Sequence, residues 1–343
     1  MRKFSLMVSI LIMVSSILAA CGSSGSSGKS SAGSDESVTW LVNSGYPESN
    51  HIGQGIVSFS EKVNEATDGK VNFELRADGQ LGYEGSEMLK VVRDGTVEAS
   101  DVLLGSVAGD EPLYGLTTLP SLFQNMDEAR ILFDIARPYF DKAAEENWNQ
   151  KILYIAPWPL SGFWTKNEVK SLDDLKGLKM RSFDEMSTLA VKAVGGTPAP
   201  LAFSEVYSGL STGVIDSVLT SSVSALDGKF WEVLDYHVPA GVLAGSNALT
   251  INLDKFNSLD KETQNALVQA GKEAEEDIWN RVQEIDEEML TTVKENGITI
   301  LEPSDELLKD IDTATKSIRE DWLKTAPAEA KEIVGKFNEA VGR

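Results

Sequence analysis

The chain has 343 residues, with 31 Lys and Arg against 53 Asp and Glu, a formal net charge of −22. A field of that sign repels nucleic-acid phosphates and anionic lipid headgroups, so no nucleic-acid partner is expected. It repels acidic solutes too, so any bound acid has to be held by local positive groups, and single arginines become worth following.

Met1, Arg2 and Lys3 precede an uncharged apolar run, FSLMVSILIMVSSILAA, which is the layout of a secretory signal over residues 1–20. Leu18-Ala19-Ala20-Cys21 resembles the lipobox of bacterial lipoproteins. That resemblance implies cleavage before Cys21, a diacylglyceryl group on its thiol and a lipid anchor at a membrane surface. Cys21 is the only cysteine, so no disulfide or zinc knuckle forms within the chain. Residues 21–37 are rich in Gly and Ser and read as a flexible tether with nothing to bury. Gly28-Lys29-Ser30 fails as a phosphate loop, because Ser23 stands where the pattern needs glycine.

The folded part starts near Val38. About 300 residues remain, enough for two lobes with a core each, and no later segment has the eighteen or so apolar residues of a transmembrane helix. Val38 to Val42 reads as a strand, and Gly45-Tyr46-Pro47 breaks it before a helix over Ile52 to Thr67, with Ile56, Phe59 and Val63 at helical spacing. Val71 to Leu75 alternates as a strand, Glu84 to Asp94 reads as a helix, and Ala99 to Leu104 as a third strand. That β-α-β-α-β order marks an α/β lobe.

The alternation restarts after Pro157. Ile152 to Ala156 reads as a strand, Leu172 to Leu175 as a short helix, Lys179 to Phe183 as a strand and Met186 to Val194 as a helix closed by Gly195-Gly196. Ser204 to Thr212 is a helix ended by Gly213, and Val214 to Leu219 a strand. The lobe boundary therefore falls at Pro157, giving lobe I as 38–157 with part of 247–290, and lobe II as 158–246 with part of 291–343. From Asp260 to Glu295 there is no Pro and strong helix formers throughout, with Asn296-Gly297 as the stop. A helix of that length spans roughly 50 Å, enough to brace both lobes.

Between Lys176 and Ser217 the chain reads KGLKMRSFDEMSTLAVKAVGGTPAPLAFSEVYSGLSTGVIDS. The order Gly177-Leu178-Lys179, Arg181, Gly195-Gly196, Pro198, Phe203-Ser204-Glu205-Val206-Tyr207 and Gly213-Val214-Ile215-Asp216 strongly resembles the solute-binding subunits of TRAP (tripartite ATP-independent periplasmic) transporters. Gly79-Gln80-Leu81-Gly82, Thr118-Leu119-Pro120 and Asn252-Leu253-Asp254-Lys255-Phe256 extend the likeness over nearly all of the folded chain. It implies an α/β, two-lobe, periplasmic-binding-protein-like fold with a ligand cleft between the lobes, a long helix spanning both, and hinge closure on the ligand. It also implies an extracytoplasmic protein that passes a small organic anion to TRAP membrane subunits, with no enzymatic activity and no cofactor.

By the same resemblance Arg181 pairs with the ligand carboxylate, a role that suits a planar fork of donors in a water-excluding cleft. Phe203 packs on the solute, Thr220 offers a polar contact, and Asp184 matches a position that is often polar. The chain departs from the pattern at Ser161, where many members carry a second arginine, and at Leu103-Leu104-Gly105-Ser106, where sialic-acid members carry a polar cluster. Trp158, Phe163 and Trp164 crowd the lobe boundary, and Tyr46 joins Ser106 and Ser161 as a candidate lining residue. The site reads as less charged and more aromatic than its kin, suited to a monocarboxylate with an apolar or aromatic body.

Other classes have weaker signals. Gly209-Leu210-Ser211-Thr212-Gly213 fits a nucleophile elbow, but that turn needs a strand before it and a helix after it, and here the order is reversed. His51 and His237 are the only histidines, too few for a transition-metal site. Asp173-Asp174 and Glu275-Glu276-Asp277 read as solvated faces. A solute-binding lipoprotein of an ATP-driven importer or a sensor is the nearer rival, sharing the architecture without the Arg181 motif.

Overall fold

The computed structural model describes residues 37–343. The expected signal, Cys21 and nearly all of the tether lie outside the described residues. From Val38 the chain runs β1 (Val38–Asn43), α1 (His51–Ala66), β2 (Val71–Arg76), α2 (Glu87–Arg93) and β3 (Ala99–Leu103). Two tight helical turns, Leu104–Val107 and Pro112–Thr118, lead to α3 (Met126–Trp148) and β4 (Gln150–Pro157). The next set is β5 (Gly162–Thr165), β6 (Lys179–Ser182), α4 (Glu185–Ala193), β7 (Thr197–Pro200), α5 (Phe203–Thr212), β8 (Ser217–Thr220), α6 (Ser222–Asp227) and β9 (Tyr236–Val238). The chain finishes with β10 (Ser246–Asn252), α7 (Leu253–Asn257), α8 (Lys261–Glu295), β11 (Thr299–Ile300), α9 (Asp305–Thr325) and α10 (Ala328–Ala340).

These strands form two sheets, ordered β2-β1-β3-β10-β4 and β11-β9-β5-β8-β6-β7. In the first, β1 lies parallel to β2 and β3, while β10 runs antiparallel between β3 and β4. Every residue of β10 is buried, as expected of a central strand covered on both faces. In the second sheet β6 lies parallel to β7 and β8, and β5 antiparallel to β8 and β9. The fold is thus α/β with two lobes.

Two short segments connect the sheets, 158–161 leaving β4 and 239–245 returning to β10. They run antiparallel and are bonded to each other. Trp158 N donates to Gly245 O at 3.0 Å, Ser161 N to Leu243 O at 2.7 Å, and Val242 N to Ser161 O at 2.9 Å.

The third crossing is α8, 35 residues long and capped by Asp260, whose side chain accepts from Thr263 N. Its Leu267, Ala270, Ala274 and Ile278 pack with Leu153 and Tyr154 in the first lobe, and Val293 with Trp164 and Phe230 in the second. Glu275, expected on a solvated face, instead accepts from Ile155 N at 3.0 Å and pairs with Arg137. Glu276 and Asp277 beside it are exposed, as expected; only Glu275 is drawn in against β4. The last two helices divide, with Leu307 and Ile311 of α9 in the second lobe's core and Ile333 and Phe337 of α10 beside Phe140 of α3 in the first.

Candidate ligand-binding cleft

Where the connecting segments meet the sheets, a cavity is lined by Tyr46, Leu103, Trp158, Ser161, Arg181 and Phe203, with Thr220 beyond them. A wider one shares Tyr46, Arg181 and Phe203 with it and adds Ser106 and Asp101. Both lobes supply these walls. Tyr46 follows β1, Asp101 stands on β3, Arg181 on β6, Thr220 ends β8 and Phe203 opens α5.

Arg181 is only 5 % exposed. Its Nε donates to Leu201 O at 3.1 Å, which aims the guanidinium, and its Cζ sits 5.4 Å from the centre of the Phe183 ring. Among the described residues no carboxylate pairs with it and neither Nη has a hydrogen-bond partner. Burial pushes its pKa down to about 10, so it remains a cation at neutral pH.

The opposite wall is aromatic. Tyr46 lies 4.8 Å from Trp158 and 6.4 Å from Phe203, centre to centre. Trp158 is fixed from behind, since Nε1 donates to Asn247 Oδ1 at 2.6 Å and His51 packs edge-on at 4.8 Å. Burial lowers the His51 pKa to about 4 and keeps the ring neutral.

Not every expected residue reaches the cleft. Phe163 and Trp164 are consecutive on β5 and so point to opposite faces of the sheet; both faces are covered, and the rings are buried in separate cores of the second lobe. Asp184 caps α4, its Oδ1 accepting from Ser187 N at 2.7 Å, while its other oxygen is buried beside Thr118 and the open face of Gly105. It lines neither cavity. Ser211 lies on α5 and gives its hydroxyl to Tyr207 O at 2.8 Å, so no nucleophile elbow exists there.

Asp101 is the residue that the sequence reading missed. Its strand offers two adjacent polar residues, Ser100 and Asp101, and only the pairing of β3 with β10 decides which one meets the cleft. Asn247 Nδ2 donates to its Oδ1 at 2.9 Å and Ser44 Oγ to its Oδ2 at 3.1 Å.

Residues 42–325 match the family described as DctP, bacterial extracellular solute-binding protein, family 7. The 2,3-diketo-L-gulonate-binding periplasmic protein YiaO of Escherichia coli K12 is 30% identical over 296 residues, 82% of this chain and 87% of that protein. Two crystal structures of Bordetella pertussis extracytoplasmic solute receptors binding pyroglutamic acid superpose closely. DctP7 is 25% identical and DctP6 28%, each with a TM-score of 0.85 over 88% of this chain and 100% of the receptor.

Proposed function

Because the chain belongs to the bacterial extracellular solute-binding protein family 7, and so is an extracytoplasmic receptor of the TRAP type and not an enzyme, we propose that its cleft captures a compact monocarboxylic acid on Arg181. The observation that carries this reading is a buried guanidinium with no acid partner among the described residues, aimed into a cavity walled by four aromatic rings. Such a group is stable only opposite an anion, and its fork matches two carboxylate oxygens. Relatives that bind pyroglutamic acid and a diketo sugar acid support an acid as the ligand. The two lobes, 38–157 and 158–246 with their returning segments, close on it, and the loaded protein passes it to the membrane subunits.

A thermal-shift screen of pyroglutamate, short hydroxy acids, sugar acids and aromatic acids tests this. A ligand at about 100 times its dissociation constant stabilises by about 2.7 kcal/mol. If neutral analogues raise the midpoint as much as the acids do, the carboxylate reading is wrong.

The lipid anchor belongs to the same proposal, supported by Leu18-Ala19-Ala20-Cys21. Mass spectrometry of membrane-extracted protein is expected to find a chain starting at an acylated Cys21. A mature form starting elsewhere, or carrying no lipid, overturns that part.

A further inference from the structure

Capture of a carboxylate by Arg181 leaves Asp101 unexplained. This carboxylate is 3 % exposed, lines the wider cavity with Arg181, and has no Lys or Arg partner among the described residues. Asn247 and Ser44 each give it one hydrogen bond, and an ionised carboxylate accepts about four. The same two residues hold the aromatic wall, Asn247 through Trp158 Nε1 and Ser44 Oγ by accepting from Tyr46 N at 3.2 Å. One cavity thus faces a cation that lacks a protein anion and an anion that lacks a protein cation.

A ligand with a carboxylate alone satisfies one pole and leaves the other buried without a counterpart, which is costly. Resting on the carboxylate reading of Arg181, we propose that the ligand is a compact nitrogen-bearing acid, with its carboxylate on Arg181 and the N–H of a ring amine, amidine or lactam donating to Asp101. The faces of Tyr46, Trp158, Phe183 and Phe203 suit a flat ring, and a cationic nitrogen gains from them as well. Ser161, Thr220, Ser221 and Ser224 add hydroxyls to the same walls, so it is the Asp101 carboxylate without a cation, not a lack of polar partners, that selects nitrogen.

Burial raises the Asp101 pKa to about 7. The groups facing it are Tyr46 from the loop after β1 and Tyr154 from β4, both kept protonated by burial, with Arg181 and Glu84 on the walls of the shared cavity. An N–H donor prefers the ionised carboxylate, so binding strengthens as pH rises through that value, by roughly tenfold between about pH 6 and pH 8. The carboxylates of the probes below do not titrate there, and neither does the proline amine.

The test is calorimetry on the full folded protein with two matched pairs. One is pyroglutamate and its lactone analogue, in which oxygen replaces the ring N–H; the other is proline and tetrahydrofuroic acid. At least one N–H acid is expected to bind, with its oxygen counterpart weaker by about 10- to 100-fold. Asp101→Asn is expected to erase most of that discrimination and flatten the pH dependence, whereas Arg181→Ala weakens both members of a pair. Equal affinity within the pairs overturns the proposal without needing any variant to fold. If neither N–H acid binds while glucuronate does, the Arg181 reading stands and this one falls; if no acid binds, both fall.

Discussion

Arg181 is a cation that the unliganded fold holds at a disadvantage. Its pKa lies below that of a free arginine, so the charged form is penalised in the folded protein at every pH below about 10, neutrality included. Two outcomes follow for Arg181→Ala. Truncating one partner of a buried charge pair costs roughly 2–5 kcal/mol of binding, so calorimetry on the cognate acid is expected to show a loss of about 30-fold to several thousand-fold. The thermal midpoint without ligand is expected to stay level or rise, since a disfavoured cation has gone. Arg181→Lys keeps the charge without the fork and recovers only part of the binding. Unchanged affinity in the Ala variant places the anchor elsewhere. At this scale the sequence was uneven. Arg181 was legible because its motif surrounds it, but the aromatic cluster at 158–164 was not, since composition cannot tell a cleft wall from a strand buried on both faces, and only Trp158 of that trio turns to the cleft. Asp101 and its partner Asn247 are 146 positions apart, and no local pattern joins them.

Among the elements, α8 was readable end to end because it holds no Pro and a single Gly, and Asp260 and Asn296 mark its ends. The α3 helix carries a mixed signal: Asn125 caps it and Leu132, Phe133, Ala136 and Phe140 form its buried face, yet Pro138 stands in its interior. Expected at Glu84, α2 begins at Glu87, since Gly85 turns with a positive φ of 55°. Strands β5 and β9, of four and three residues, are too short to show a period. The contact between α8 and β4 has its own test. A Cβ on Gly271 would lie 2.4 Å from Leu153 O, whereas one on Gly335, exposed in α10, meets nothing within 4 Å. Gly271→Ala is therefore expected to lower unfolding stability by about 1–3 kcal/mol, while Gly335→Ala leaves it level or raises it by about 0.4–1 kcal/mol. Equal behaviour in denaturant titrations contradicts the close approach.

For the whole molecule the two-lobe plan was legible from the repeated alternation, while the return of the chain through 239–245 was not, because a crossing is defined by what it pairs with. The C-terminal division of α9 and α10 between the lobes is likewise a matter of packing. A side-chain contact joins the lobes as well, Asn50 Nδ2 donating to Asp227 Oδ2 at 3.1 Å, and burial lifts the Asp227 carboxyl to about 6. Solution scattering is expected to show a smaller radius of gyration with a tight acid bound than without it. No compaction at saturating ligand rules out closure.

Four crossings, two of them laced together, a third made by the single continuous helix α8 and a fourth by α9 running on into α10, leave the molecule with few mechanical freedoms. Sliding one lobe along the other would shear the bonds between residues 158–161 and 239–245, and twisting would wring α8, so what remains is rotation about one axis near the crossings. In such a lever the travel grows with distance from the fulcrum. Spin labels on either side of the cleft mouth should therefore report a large change on loading, while a pair near Lys261 and Glu295, at the two ends of the strut, should hold almost the same separation.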